Sequence, residues 1–257
     1  MTVFISNKTI YNSNMENKIN NYLEYKAKIA ALFNGKYDLP ESASKIIELG
    51  YCISRDVQTD NIDVLIVGMN PSEGGGPGEY PSFDELMKNP KRVYWHAIKR
   101  YLCDEYKFEH VDLFALRETH QYFLAQVGDN HNALDFLSKQ LFLTQQLIEL
   151  IKPKLIIVAN KAAFAYWGKL PEYTWMGYSY KPIKSEINSV ERDLELMEIS
   201  GLSKKNQPPI GKLLCPDFET NLVGTKILFA RYQANGCPKS KQITKSDIDY
   251  IFKHHID

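Results

Sequence analysis

What this chain lacks narrows it before any motif is considered. It has no net charge: 31 Lys and Arg stand against 31 Asp and Glu, so overall charge attracts no polyanion. Cysteine is scarce, and Cys52, Cys103, Cys215 and Cys237 are too far apart for the CxxC spacing of a zinc or iron–sulfur site. No stretch approaches the roughly 20 apolar residues that span a bilayer. The opening MTVFISNKTIYN has neither the basic start nor the apolar run of a secretory leader. Reduced thiols, a cytoplasmic location and no membrane partner are therefore expected. His96, His110, His120 and His131 show no HExxH or other ligand spacing, and the adjacent His254 and His255 read as a solvated tail. Glu73-Gly-Gly-Gly-Pro-Gly78 lacks the Gly-Lys-Ser/Thr of a nucleotide-binding P-loop, and there is no GxSxG. No metal or cofactor is implied. Internal repeats and low-complexity tracts are missing too.

What is present describes an ordinary globular chain. With 257 residues, 44% of them hydrophobic and 24% charged, one well-packed domain is the natural reading, and a monomer is expected. Apolar residues at helical spacing predict a helix over about 13–33, stopped by Asn34-Gly35, and a shorter one over 40–49. Together they form an N-terminal helical extension, about 1–55. Short apolar runs predict four strands, at 63–68, 111–116, 154–159 and 226–230. Helices over 92–107, 133–151, 161–167 and 245–255 separate or follow them. Residues 170–210, polar and rich in Tyr and Pro, read as an insertion or lid containing an acidic helix. The implied fold is α/β: a three-layer α/β/α sandwich around a mostly parallel four-stranded sheet.

In such folds ligands sit beyond the carboxyl ends of the strands. That rule selects 70–83, 117–120, 160–161 and 231–239. The first of these is the most unusual stretch in the chain, with four glycines and three prolines between Asn70 and Ser82. Gly68 lets the backbone come close to a ligand, and Pro71 fixes the chain after Asn70, so the Asn70 carboxamide should face the cleft rigidly. Asn-Pro is also a plain turn former, and that reading stays open.

The segments VLIVGMNPS, VDLFALR, IKPKLIIVAN and ILFARY, in that order, resemble the uracil-DNA glycosylase superfamily, nearest its single-strand-selective and mismatch-specific branches. The resemblance spans about 60–235 and is most specific at Gly-Met-Asn-Pro. It implies a DNA glycosylase that flips a uracil-like or modified base out of single- or double-stranded DNA and hydrolyses its N-glycosidic bond. By resemblance Asn70 orients the attacking water. Gly68 and Met69 line the base site, and Phe83 stacks on the base, with Tyr80 as the alternative platform. The chain departs from the pattern twice. Asp112 stands where those branches carry an Asn that reads the uracil edge, and a carboxylate cannot donate to a carbonyl unless protonated. An ionised Asp112 would favour a base presenting donors, such as a cytosine-type edge. Where the second motif normally has His-Pro-Ser or Asn-Pro-Ser, the chain reads Arg231-Tyr232-Gln233-Ala234-Asn235. Arg231 is then the candidate for the leaving group or a phosphate, and Tyr232 or Gln233 for the wedge that enters the duplex. Basic residues near 88–100 and 231–245 are candidate phosphate contacts. The missing His also leaves open a non-catalytic nucleic-acid-binding module on the same fold.

Overall fold

The computed structural model describes residues 19–120, 131–170, 175–202 and 219–256. The start of the first predicted helix and parts of the predicted lid lie outside them. Two helices lead in, α1 (Tyr22–Phe33) and α2 (Glu41–Glu48). Asn21 caps α1 by accepting from the Glu24 amide, and Asn34 closes it. Strands β1 (Cys52–Ser54), β2 (Val64–Gly68) and β3 (Gly78–Tyr80) follow. Next come α3 (Phe83–Lys88), α4 (Val93–Lys99), β4 (Phe108–Asp112), α5 (His131–Ile151) and β5 (Leu155–Val158). Strands β6 (Tyr178–Pro182), β7 (Leu194–Leu202) and β8 (Lys226–Ala230) precede the last helix, α6 (Lys245–His255).

Among the described residues the main sheet has six strands in the order β4-β2-β5-β8-β7-β6, and β1 pairs separately with β3. β4, β2, β5 and β8 run parallel, whereas β7 and β6 are antiparallel additions. β2 has partners on both sides and all five of its residues are buried, which is why it reads as an unbroken apolar run. Its alternate side chains feed two cores. Leu65 and Val67 pack with α1, α2 and α5 on one face, while Val64 and Ile66 pack with α3, α4 and α6 on the other.

The predicted four-stranded sheet is thus too small, and the predicted acidic helix is a strand. Leu194, Leu196 and Ile199 are buried in β7. Its acidic residues serve cross-strand pairing: Glu198 stands opposite Lys226 of β8 and Lys181 of β6, at 2.9 and 3.5 Å. The second predicted strand also shifts, from 111–116 to Phe108–Asp112. Polar Glu109 and His110 mask its beginning, although both are buried. The Glu109 carboxylate is accommodated by the backbone N–H groups of Gln58 and His110, each at 2.9 Å. The helix predicted over 92–107 stops at Lys99, and that over 161–167 is a single 3₁₀ turn, Lys161–Phe164, capped by Asn160.

Candidate functional site

The chain leaves β2 towards α3 and α4 on one face of the sheet, and leaves β4 towards α5 on the other. Loops departing from adjacent strands in opposite directions open a crevice at their carboxyl ends. Gly68 and Asp112 are paired across that point. The shift of the second strand therefore puts Asp112 at a strand's end, where ligands sit, rather than near its start.

Gly68 is required by its neighbour. A Cβ there would lie 2.1 Å from the Asp112 Oδ1 and 3.1 Å from both the His110 Nε2 and the Tyr94 hydroxyl. The Asp112 carboxyl thus lies against bare backbone. Nothing among the described residues hydrogen-bonds to it, and 13% of its side chain is exposed. Burial pushes this carboxyl up to about 7. His110, two residues earlier, points to the same side of β4. Burial holds its imidazole down to about 3, so it is neutral. Its Nε2 is 2.9 Å from the Tyr94 hydroxyl and 3.9 Å from Asp112, while its Nδ1 is buried without a partner. Trp95 abuts the His110 ring edge-on at 4.9 Å, and Tyr80 lies 6.1 Å from Trp95. Tyr232 stacks on Tyr94 at 6.2 Å and is 41% exposed, so an aromatic wall runs from the surface to Asp112. The cavity beside Asp112, lined also by Tyr22, Cys52 and Tyr80, measures about 10 Å³. That is room for one water. A planar ligand reaching Asp112 must displace part of the wall.

Asn70 is immobilised. Its Nδ2 donates to the carbonyls of Pro71, Leu116 and Glu118 at 3.0, 3.5 and 2.7 Å, which fixes the plane of the amide. The glycine-rich loop is pinned by two arginines. Arg92 donates to the Ser72 hydroxyl and the Gly74 carbonyl at 2.9 and 2.7 Å, and Arg117 bonds the carbonyls of Leu49 and Glu73.

The other expected site residues divide. Met69 is buried in the core on the opposite face from Asp112 and contributes no side chain to the crevice. Phe83, 4% exposed, packs in the second core with Ile98 and Tyr101, while the alternative platform Tyr80 lines the cavity. Gln233 is no wedge: it is buried, donates to the carbonyls of Arg231 and Lys241, and accepts from the Ile243 amide. Arg231 lies 3.7 Å from Asp193, which also holds Lys161 and Lys241 at 2.8 and 2.9 Å. Those two lysines keep the Asp193 carboxyl down at about 2. Of the basic residues near 88–100, Arg92 serves the loop, and Lys99 and Arg100 bond the carbonyls of Met87 and Gln233. The sequence reading missed Tyr94, Trp95 and His110. The alternation of His110 with Asp112 was the available signal, since i and i+2 on a strand share a face.

No helix among the described residues is long and apolar enough to cross a membrane. Comparison of the chain with protein-family models, with curated proteins and with solved structures returns no match.

Proposed function

We propose that the protein is a DNA base-excision glycosylase of the uracil-DNA glycosylase-like kind, with Asn70 and Asp112 as its working residues. The observation that carries this reading is the Asp112 carboxyl, without a hydrogen-bond partner among the described residues, lying against Gly68 at the point where loops diverge and walled by aromatic side chains. A planar, edge-on hydrogen-bonding ligand suits such a place. In the proposed reaction, water positioned beside the fixed Asn70 amide attacks C1′ of the sugar. The C1′–N bond breaks with its electrons passing to the base, whose edge Asp112 holds, and the proton that the water loses as the C1′–O bond forms ends on the departing base. An amide is a weak base, so positioning and stabilisation of the departing base supply most of the rate. Tyr80 rather than Phe83 is the stacking platform, and exposed Tyr232 rather than Gln233 is the candidate for entering the duplex.

A second reading, a nucleic-acid-binding module without excision, is favoured by one observation. Gln233 is bonded within the protein and Arg231 stands beside Asp193, so among the described residues neither is directed at the crevice as a group for the leaving base. One assay separates the two. Single- and double-stranded oligonucleotides containing uracil, other deaminated bases or modified cytosines are incubated with wild type and Asn70→Ala, and abasic sites are scored by alkaline cleavage. Release that falls at least about a hundredfold in the variant is expected, the usual scale for losing a positioned catalytic contact. Binding without release from any substrate would leave the second reading, and neither would remove nucleic acid as the partner.

A further inference from the structure

Among the described residues, the crevice's carboxyl has nothing to bond to, and its histidine is arranged so as not to help it. The His110 Nε2 is engaged with the Tyr94 hydroxyl at 2.9 Å and stands 3.9 Å from the Asp112 Oδ1, beyond hydrogen-bond reach. Whichever ring nitrogen carries the proton, Asp112 receives no N–H from it. Among the described residues, the remaining titratable groups around Asp112 are Tyr94 on α4, Tyr80 on β3, Cys52 on β1, and Tyr22 and Tyr25 on α1, and burial raises every one of them. All stay neutral through the physiological range, and none brings a positive charge to the carboxyl. Glu109, the next titratable residue on β4, belongs to the opposite face and is bonded to the Gln58 and His110 amides.

We propose that Asp112 reads its base as a carboxylic acid, and that His110 and Tyr94 are positioning residues that keep it so by withholding a ring N–H. The acid presents one O–H donor beside one C=O acceptor, the same pair an Asn amide offers. It thereby complements a lactam edge, an N–H next to a carbonyl, as in uracil or hypoxanthine. The ionised form presents acceptors only and turns one of them against the lactam carbonyl. The site's substrate class is then a lactam-edged base, not the donor-rich edge that an ionised Asp112 would select, and recognition weakens as the carboxyl loses its proton. This rests on the base-binding reading above and adds to it a protonation state and a pH signature.

The test uses the full chain and a single-stranded oligonucleotide carrying 2′-fluoro-deoxyuridine, which resists cleavage, with the same strand carrying an abasic analogue as reference. Affinities are measured by fluorescence anisotropy from pH 5.5 to 8.5, and the Asp112 carboxyl is followed by ¹³C NMR, assigned with Asp112→Asn. Above the carboxyl's midpoint, the uracil-dependent part of the affinity is expected to fall about tenfold per pH unit, as for release of one proton. Asp112→Asn should bind without that slope. Tyr94→Phe, which frees the His110 Nε2 to donate to Asp112, should move the midpoint down, and Glu109→Gln should leave it in place. A midpoint in the ordinary carboxylate range would overturn the proposal. So would uracil-dependent binding with no pH slope, which leaves the glycosylase reading standing. Absence of uracil-dependent binding at every pH, together with no base release, would overturn both.

Discussion

At the scale of single residues, the site turns on one missing Cβ. Gly68→Ala would put a carbon 2.1 Å from the Asp112 Oδ1, so the carboxyl or the strand must shift. The expected cost is about 1–3 kcal/mol of stability, with loss of base-dependent binding. Urea unfolding measures the first and anisotropy the second; a neutral outcome in both would mean that the close approach does not matter. Asp112 also sets a sign for stability against pH. Its carboxyl is raised in the folded state to about 7, so between its unfolded value near 4 and about 7 the folded chain holds the extra proton. That contribution is complete at acid pH and is lost as pH rises through the folded value. His110, lowered to about 3, acts with the opposite sign and loses its contribution as pH falls. Asp112→Asn should therefore gain stability relative to wild type between pH 5 and 8, on the order of 3 kcal/mol at the upper end. Denaturant titrations of both proteins across that range check it, and parallel curves would contradict it. Asn70 stood out in the sequence because it follows a strong apolar strand, whereas Asp112 was singled out only through the resemblance, the predicted strand placing it near a start rather than at the end where β4 puts it. Tyr94 and Trp95 were not legible, because aromatics on a helix look like core until the fold shows which strand they meet.

Elements were legible where periodicity was clean. β2, β5, β8 and α6 fall where their apolar patterns predict, since each is buried or amphipathic in the ordinary way. β4 and β7 were displaced or misread because their polar residues are satisfied by distant partners that a local pattern cannot reveal. The same logic makes α5 a brittle element. Its Glu149, 6% exposed, accepts from the Tyr178 and Thr220 hydroxyls and the Asn221 amide at 2.8, 2.7 and 2.6 Å. It ties α5 to β6 and to the approach to β8. Glu149→Ala strands three donors and should cost about 2–5 kcal/mol, read as a lower urea midpoint. Glu149→Gln, which keeps an acceptor, should cost less; equal losses would mean that packing rather than hydrogen bonding sets the penalty.

For the whole molecule, zero net charge confines any phosphate contact to local clusters. Three cations, Lys161, Arg231 and Lys241, gather about the single carboxylate of Asp193 beyond the ends of β5 and β8. Lys161 is the most exposed of them, with 59% of its side chain accessible. If the cluster meets a nucleic-acid backbone, Lys161→Ala should lower the slope of log affinity against log salt by about 1. Anisotropy at several salt concentrations measures it, and an unchanged slope would place the backbone elsewhere. The order of the strands has a consequence for synthesis as well. The apolar strand β2 finds β4 soon after it is made, but its second partner pairs Leu155 with Val64, far along the chain. Until β5 emerges from the ribosome, one edge of this fully buried strand has no native neighbour. The nascent chain is then most exposed to mispairing with other strands.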